Sequence, residues 1–250
     1  MRFIGMGIGR GIALGAAMAA SAAAAQDWSY TVTPYLWAAG QSGTVGVLQG
    51  VPPANLDLSF GDIFDDLDGS FMVTGRATRG RFAITADFEY IRTKDTGDTP
   101  GTDYGTATVR TETVMASLMA GYQIMASPTS ELWGDIGLRY WSVENEVNLG
   151  AGTQPATTVK GDGQWVDPML GFRGSYEFAP NWTARGWAYI GGFGAGSDLM
   201  TDIFGGLSYA FNDRFAVVGG WRYMTVDRTD GAFVYDVSQN GPILGLAISF

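Results

Sequence analysis

Four aspartates, Asp62, Asp65, Asp66 and Asp68, fall within the short segment SFGDIFDDLDG, which spans residues 59–69. Carboxylates this close together can bind a divalent cation. An EF-hand loop also needs a Gly at its sixth position and a bidentate Glu at its twelfth. Only Asp66 to Gly69 matches a fragment of that pattern, and no Glu follows it. The four aspartates are therefore weak metal candidates, and we predict no cofactor.

The apolar residues of the same segment favour a different interpretation. They recur at helical spacing, at Phe60, Ile63, Phe64 and Leu67. That spacing predicts one face of an α-helix of about two turns. Ser59 lies where an N-cap is expected, Asp62 can complete a capping box, and Gly69 lies where a C-cap glycine is expected. The segment therefore predicts a short helix with its aspartates facing water.

Catalytic chemistry has few candidate residues elsewhere. The chain has no histidine and no cysteine, so the commonest general base and the thiol nucleophile are both missing. A Ser nucleophile needs a base beside it, and His is the usual one. Two carboxylate pairs remain, Asp87 with Glu89 and Glu144 with Glu146. Ion pairs with arginines inside the fold explain the first pair more simply. We therefore expect that the protein is not an enzyme.

These residues belong to long segments in which apolar and polar residues alternate. One apolar face is formed by Phe82, Ile84, Ala86, Phe88 and Tyr90. A period of two predicts β-strands. The pattern recurs at 132–140, 166–178 and 215–223. A soluble β-sandwich is the alternative, but strands of about ten residues with aromatics at both ends of the apolar face favour a transmembrane barrel.

The N-terminus indicates export. Arg2 and Arg10 flank a short apolar run that ends at Ala23-x-Ala25, which predicts a cleaved secretory signal over 1–25 and a barrel domain over 26–250. With these two arginines removed from the 15 basic residues, 13 remain against 25 acidic ones. Such an acidic chain is not suited to bind nucleic acid.

The C-terminus carries a family resemblance. Leu244, Leu246, Ile248 and the final Phe250 share one face. The segment resembles the last strand of bacterial outer-membrane barrels, whose terminal aromatic residue is read by the assembly machinery. The resemblance implies that Phe250 is an assembly signal. It also implies a place in the outer membrane of a Gram-negative bacterium, with its lipid and lipopolysaccharide as partners; no oligomeric state follows from it.

A second resemblance concerns the N-terminal half. The Tyr35-Leu-Trp37 strand, the aspartate segment and the strand ending in Thr78-Arg-Gly-Arg81 are similar to small-barrel proteins of proteobacteria in the broad OmpA-type superfamily. We predict an all-β, antiparallel, up-and-down transmembrane barrel. Ten strands fit the pattern best because short turns then occupy every second connection, and eight is the alternative. The short helix falls in the first external loop.

The polar faces of these strands would line the lumen. The predicted lumen network contains six residues of each sign: Arg76, Arg81, Arg139, Arg173, Arg185 and Arg222 with Asp87, Glu89, Asp135, Asp167, Glu177 and Asp202. Barrels of eight to ten strands are narrow, and opposite charges in a narrow lumen pair with each other. We therefore expect a filled or narrow lumen and a structural or surface-interaction role. A narrow porin-like channel for ions or small solutes is the alternative. A lipid-modifying outer-membrane enzyme is a third interpretation, since such barrels resemble this chain in size, but their chemistry depends on a His beside a Ser and this chain has no His.

Overall fold

The computed structural model describes residues 28–46, 53–99 and 101–250. The predicted signal peptide at 1–25 lies outside the described residues. Within these ranges the chain forms twelve strands and one short helix. In chain order the elements are β1 (Ser29–Trp37), β2 (Gly40–Gly46), β3 (Ala54–Leu58), α1 (Phe60–Asp65), β4 (Leu67–Arg79), β5 (Phe82–Asp98), β6 (Tyr104–Ala126), β7 (Ser130–Ala151), β8 (Thr157–Ala179), β9 (Trp182–Gly192), β10 (Leu199–Ala210), β11 (Phe215–Asp230) and β12 (Phe233–Ser249).

Ten of these strands, β1 and β4 to β12, form a closed antiparallel barrel in which sequence neighbours pair around the wall. The circle closes where β1 pairs with β12, from Thr31 opposite Ser249 to Trp37 opposite Ile243. Closure leaves each barrel strand a neighbour on both sides, which a bilayer requires because lipid satisfies no backbone hydrogen bonds. The predicted ten-stranded barrel is confirmed, and the eight-stranded alternative is wrong.

The connection from β1 to β4, which the sequence predicts to be external, contains more structure than expected, and we call its end of the barrel the outer end. Strand β2 continues the line of β1 and pairs with the outer half of β12, from Gly46 opposite Val234 to Gly40 opposite Asn240. Strand β3 folds back on β2 as a hairpin. The connection therefore extends the barrel wall outward before the chain reaches the helix.

The short helix α1 follows this hairpin, and its N-terminus has the predicted capping box. The Asp62 backbone N–H donates to the Ser59 hydroxyl at 3.2 Å, and the Ser59 backbone N–H donates to the Asp62 carboxylate at 2.8 Å. The predicted C-cap is wrong. The helix ends with Asp66 as its C-cap, whereas Gly69 already pairs with Arg92 in the β4–β5 ladder. The cause is that β4 pairing begins at Leu67, directly after the helix.

The outer wall of the barrel carries an apolar belt. Its exposed members include Phe82, Ile84, Phe88, Leu118, Ile136, Leu138, Leu170, Phe172, Ile203, Leu207, Trp221 and Leu244. So large a contiguous apolar surface is unfavourable in water but favourable against the hydrocarbon core of a bilayer. The protein is therefore an outer-membrane β-barrel of a Gram-negative bacterium. Among the described residues, no helix is long and apolar enough to cross a membrane.

Strands β6, β7 and β8 continue outward beyond this belt. Glu112 lies opposite Glu144, and Glu144 lies opposite Asp162. One step further out, Glu146 is flanked by Arg110 and Lys160. Charged residues in register on the outward face mark the part of the wall that stands above the bilayer.

The hydrophobic core lies inside the barrel. Its buried members are Trp37, Met72, Met115, Met119, Trp141, Val143, Trp165, Met169, Tyr189, Met200, Phe204, Met224, Val226, Tyr235, Val237 and Ile243. Six of the sixteen are methionines, whose unbranched side chains fill irregular gaps. The lumen is therefore filled by side chains as well as lined by charge.

Candidate functional site

The centre of the lumen is organised around Asp202. Arg222 donates to both of its oxygens, from Nε at 2.9 Å and from Nη2 at 2.7 Å. Arg139 adds a bond from Nη2 at 2.7 Å, and Trp187 adds one from Nε1 at 2.9 Å. The carboxylate thus accepts four hydrogen bonds, three of them from charged donors, which are the stronger kind.

Glu89 completes the charge balance. It accepts from Arg222 Nη1 at 2.8 Å, so two arginines face two carboxylates. We call Glu89, Arg139, Asp202 and Arg222 the ionic layer. Each of the four is at most 2% exposed, and they come from β5, β7, β10 and β11 respectively. Side chains from four strands therefore meet across the lumen and occupy its middle.

Neutral groups hold the same two guanidinium groups in place. Arg139 Nε donates to the Ser117 hydroxyl at 2.8 Å, and Arg139 Nη1 points at the Met224 sulfur at 3.2 Å. The Arg222 guanidinium lies over the Trp37 ring, 4.4 Å from its centroid. Buried charges are tolerated when they are paired and hydrogen-bonded, and both conditions hold here.

A cavity of about 180 Å³ lies between the ionic layer and the end of the barrel with the short turns, the end that the sequence predicts to be periplasmic. Five arginines line it: Arg139 and Arg222 where it borders the ionic layer, and Arg76, Arg173 and Arg185 beyond. Three carboxylates share the lining, those of Asp87, Glu131 and Asp202. Arg173 lies 3.7 Å from Asp135, and Tyr189 links the two groups because its hydroxyl donates to Asp135 at 2.7 Å and accepts from Arg173 at 3.2 Å. This cavity is therefore more basic than the ionic layer.

The remaining groups of this cavity bind mainly to neutral partners. Arg76 donates to Thr85 at 2.8 Å and lies over the Trp133 ring at 4.6 Å. Arg185 donates to Ser208 at 2.9 Å. Asp87 accepts from the Tyr35 hydroxyl at 3.1 Å. The lumen residues therefore form several local groups along the barrel axis rather than one continuous chain of ion pairs.

On the outer side, Asp167 holds the β9–β10 loop. Its carboxylate accepts from the Ser197 backbone N–H at 2.6 Å, from the Ser197 hydroxyl at 2.8 Å and from Trp165 Nε1 at 3.2 Å. Both Asp167 and Ser197 are fully buried. Trp165 also stacks on Trp141, with ring centroids 5.6 Å apart. The loop is thereby drawn down onto an aromatic layer inside the barrel.

Two residues expected in the lumen lie instead at the rim of the barrel beside the short turns. Arg81 belongs to the turn between β4 and β5, is exposed, and donates to the Gln123 carbonyl from Nη2 at 2.8 Å. Glu177, near the end of β8, is also exposed. Alternation along the strand assigned both to the inner face, but at the barrel end a long side chain reaches water.

The aspartates of the α1 segment serve different partners. Asp62 belongs to the capping box, and the hydrogen bonds that it accepts from Ser59 lower its pKa. Asp68 pairs with Arg92 at 2.8 Å. Burial and the neighbouring carboxylates raise the pKa of Asp66. Across the described ranges, no three acidic residues are grouped so that they could hold a metal ion. The segment is thus a capped helix whose carboxylates are divided between separate contacts.

In each of the two carboxylate pairs noted in the sequence, the two members have different surroundings. Asp87 binds Tyr35, whereas Glu89 binds Arg222. Glu144 is exposed, and Glu146 pairs with cations above the bilayer. A paired-carboxylate hydrolase needs both groups to face one substrate. Neither pair has that arrangement.

The terminal Phe250 lies at the closure of the barrel. Its backbone N–H donates to the Tyr30 carbonyl at 3.0 Å, and Tyr30 donates back at 2.9 Å. The two rings stack with centroids 5.9 Å apart, and Phe250 stays exposed. The residue expected to carry the assembly signal therefore lies on the outer surface at the β1–β12 junction.

The sequence placed Tyr189 on the inward face as bulk, but the hydrogen bonds that it and three other polar residues form with charged lumen groups were not anticipated. Ser117, Tyr35, Tyr189 and Ser197 each donate or accept at a charged lumen group. Three of them share the inward phase of their strands, so alternation contained a signal for them. Ser197 lies in a short loop, where no periodicity could show that its side chain turns inward.

Comparisons with known proteins show similar barrels but no family. No protein family and no curated protein matches the sequence. The outer-membrane protease OmpT of Escherichia coli is similar with a TM-score of 0.48 and 10% identity, over 90% of this chain and 97% of that chain. The translocator domain of the autotransporter NalP of Neisseria meningitidis gives 0.47 and 11%, over 90% and 89%. The attachment invasion locus protein Ail of Yersinia pestis gives 0.35 and 12%, over 90% and 99%. The fold assignment rests on the closed barrel itself.

Proposed function

We propose that this protein is a small outer-membrane barrel with a structural or surface-interaction role and a lumen that does not conduct. Outer-membrane lipid and lipopolysaccharide are its proposed surroundings, and the outer-membrane assembly machinery its proposed partner through Phe250. The observation that carries the proposal is the ionic layer. Two arginines and two carboxylates, each at most 2% exposed, bind each other across the middle of the barrel.

Charge pairing explains why this layer opposes conduction. A permeating ion would have to displace Asp202 from both arginines or Glu89 from Arg222. Either displacement leaves a buried charge without a partner, which is costly. Six buried methionines and stacked aromatics fill the space around the layer. The proposed resting state is therefore closed to solutes.

A narrow channel is the second candidate, and one observation favours it. Cavities of about 180 Å³ and about 450 Å³ lie toward the periplasmic and outer ends of the lumen. Arg222 and the ring of Trp37 lie between them. A movement of Arg222 together with the Trp37 ring would join two spaces that already exist.

Planar-bilayer recording separates the two candidates. We expect no unitary conductance steps from the purified protein, and we expect steps from the double variant Arg139→Ala, Arg222→Ala. Arg110→Ala is the matched control because Arg110 lies on the outer wall above the bilayer. Stable steps from the unaltered protein, removed by a charge-preserving Arg222→Lys change, would establish the channel instead.

A structural role has its own test. Cells that lack the protein should take up more of a hydrophobic dye such as N-phenyl-1-naphthylamine, because a missing barrel weakens the outer membrane. The unaltered gene should restore the barrier, and a gene lacking the codon for Phe250 should not. Unchanged dye uptake in the deletion strain would argue against a structural role and leave surface interaction.

A further inference from the structure

The larger cavity, of about 450 Å³, lies at the outer end of the lumen and is mostly apolar. Helix α1 contributes Phe60, Ile63 and Phe64 to its lining, and Met72 and Ile91 line it from the wall. Its volume falls within the range of small-molecule sites. The helix with its capping box therefore covers a space large enough for a ligand.

The cavity also reaches the outer surface of the barrel. Strands β1 and β4 pair only as far as Pro34 opposite Val73. Further out, within the described residues, β4 pairs with β5 and β3 pairs with β2, so no ladder joins β3 to β4. Leu36 on the outward face, 45% exposed, and Trp37 on the inward face both line the cavity. The gap between β1 and β4 thus opens a lateral path at the edge of the apolar belt.

Three buried polar atoms without hydrogen-bond partners belong to side chains that line this cavity. They are Trp37 Nε1, Asn145 Nδ2 and Gln239 Oε1. The opposite ends of the two amides are bonded: Asn145 accepts from Thr111 at 2.7 Å, and Gln239 donates to Gln41 at 3.0 Å. Buried polar atoms are rarely left unbonded. Two donors and one acceptor are therefore available to a polar group inside the cavity.

The charge of the lining limits which ligands can bind. Asp62, Asp66 and Asp95 line the cavity, and among the described lining residues there is no Lys or Arg. Carboxylates repel an anionic head group and attract a cationic one. A hydroxyl can accept from Trp37 or Asn145 and donate to Gln239 without carrying charge. The lining therefore favours uncharged or cationic ligands over carboxylates.

We propose that this cavity binds a single-chain amphiphile, uncharged or cationic, that enters from the outer leaflet through the gap between β1 and β4. The apolar chain contacts Phe60, Ile63 and Met72, and the polar group binds the free atoms of Trp37 and Gln239. This site is independent of the proposed closed lumen because Trp37 separates it from the ionic layer. The proposal of a closed lumen and the proposal of a ligand site can therefore be refuted independently.

The absence of cysteine from the chain allows a direct test by cysteine protection. Thr113→Cys places a thiol in the cavity lining, and Glu112→Cys places one on the outward face of the same strand as a matched control. Both variants are reconstituted in lipid nanodiscs and modified with a methanethiosulfonate reagent. Decan-1-ol, decyltrimethylammonium and decanoate are the three probes.

We expect decan-1-ol and decyltrimethylammonium to slow modification of Thr113→Cys by about tenfold once the probe exceeds its Kd about tenfold. Decanoate at pH 8 should not slow it, and Glu112→Cys should react at the same rate throughout. Equal slowing at both cysteines would show partition into the membrane only and overturn the site. Protection by decanoate as strong as protection by decan-1-ol would overturn the charge selectivity.

Two further variants test the polar groups. Trp37→Phe keeps an aromatic side chain, although a smaller one, and removes the free indole N–H, so the affinity for decan-1-ol should fall by about fivefold relative to that for decane. Asp66→Asn with Asp95→Asn should allow decanoate to bind. Heat-modifiable gel migration checks that each variant is folded. Folded Trp37→Phe with unaltered selectivity for decan-1-ol over decane would contradict the hydrogen-bonding assignment.

Discussion

Two carboxylates in this barrel each lie between two cations, and their surroundings differ completely. Asp202 bridges the two arginines of the ionic layer inside the lumen, with side-chain exposures of 1% for Asp202 and 2–3% for the arginines. Glu146 bridges Arg110 at 3.1 Å and Lys160 at 2.5 Å above the bilayer, where its exposure is 26% and theirs are 46% and 69%. Both sites consist of one carboxylate between two cationic side chains, so the main difference between them is exposure to water.

Exposure to water determines how much each arrangement contributes to the stability of the barrel. At the outer rim a lost ion pair is replaced by hydration and by dissolved salt, so exposed pairs contribute little. In the lumen the partners of Asp202 are buried and water cannot replace a lost partner. We therefore expect the ionic layer to contribute strongly to the stability of the barrel, whereas the Glu146 cluster should contribute little.

Removing each carboxylate gives the largest expected difference. Asp202→Ala leaves Arg139 without a carboxylate and Arg222 with only Glu89. Breaking a buried pair costs about 3–5 kcal/mol, and we expect the free energy of unfolding in urea to fall by that amount. Glu146→Ala should leave it unchanged within measurement error. The midpoint of unfolding in lipid vesicles, followed by tryptophan fluorescence, measures both.

Two controls sharpen this comparison. Asp162→Ala removes an exposed carboxylate from the outer wall and should behave like Glu146→Ala. High salt should leave the deficit of Asp202→Ala unchanged because buried pairs are poorly screened. Equal unfolding midpoints for Asp202→Ala and Asp162→Ala would show that the ionic layer does not stabilise the barrel.

Asp167 gives an intermediate case because it is buried but accepts from neutral donors. Asp167→Ala removes the acceptor for the backbone N–H and the hydroxyl of Ser197, whereas Trp165 Nε1 keeps the Ser197 hydroxyl as an acceptor at 2.9 Å. An unsatisfied buried donor costs about 1–3 kcal/mol. We expect the β9–β10 loop to open, with hydrogen exchange at Ser197 faster than in the unaltered protein and the other strands unaffected. Uniformly faster exchange in all strands would instead place Asp167 in the global core.

The capping box at α1 tests a smaller and more local contribution. Ser59→Ala removes the hydroxyl that accepts from the Asp62 N–H, and loss of such a cap costs about 1 kcal/mol. We expect faster proteolysis between residues 53 and 66 and an unchanged barrel midpoint. Ser59→Asp, which also caps, should restore resistance. A shift of the barrel midpoint by Ser59→Ala would contradict a local role.

The barrel was predictable because apolar and polar residues alternate along the strands of its wall. Residues such as Phe82, Ile84 and Phe88 give a period of two that predicts a strand, and aromatics at both ends of the apolar face favoured lipid over the interior of a soluble sandwich. The capping box at Ser59 was predictable for the same reason, since it depends on residues three positions apart. Local patterns set both features.

Features that depend on contacts between distant segments were not predictable. The hairpin β2–β3 is set by pairing with β12, about 190 residues away, and no sequence period shows such a partner. The choice of Asp202, rather than Asp135 or Asp167, as the centre of the ionic layer depends on which side chains meet across the lumen. Arg81 was misplaced because alternation does not show where a strand ends.

The smallest expected effect concerns the pH response of the exposed cluster. Lys160, Asn148 and Arg110 lower the pKa of Glu146 to about 2 from an ordinary value near 4.5. A lowered pKa means that its contribution to stability is present above about pH 4.5 and is lost as the pH falls through about 2. We expect the Glu146 carboxyl signal in carbon-detected NMR to titrate near the lower value, and Lys160→Met to move the midpoint upward. Concentrated salt should move it in the same direction, because screening weakens an exposed pair. A midpoint near 4.5 in the unaltered protein would show that the bridge does not form in solution, whereas the same screening should leave the buried arrangement at Asp202 intact.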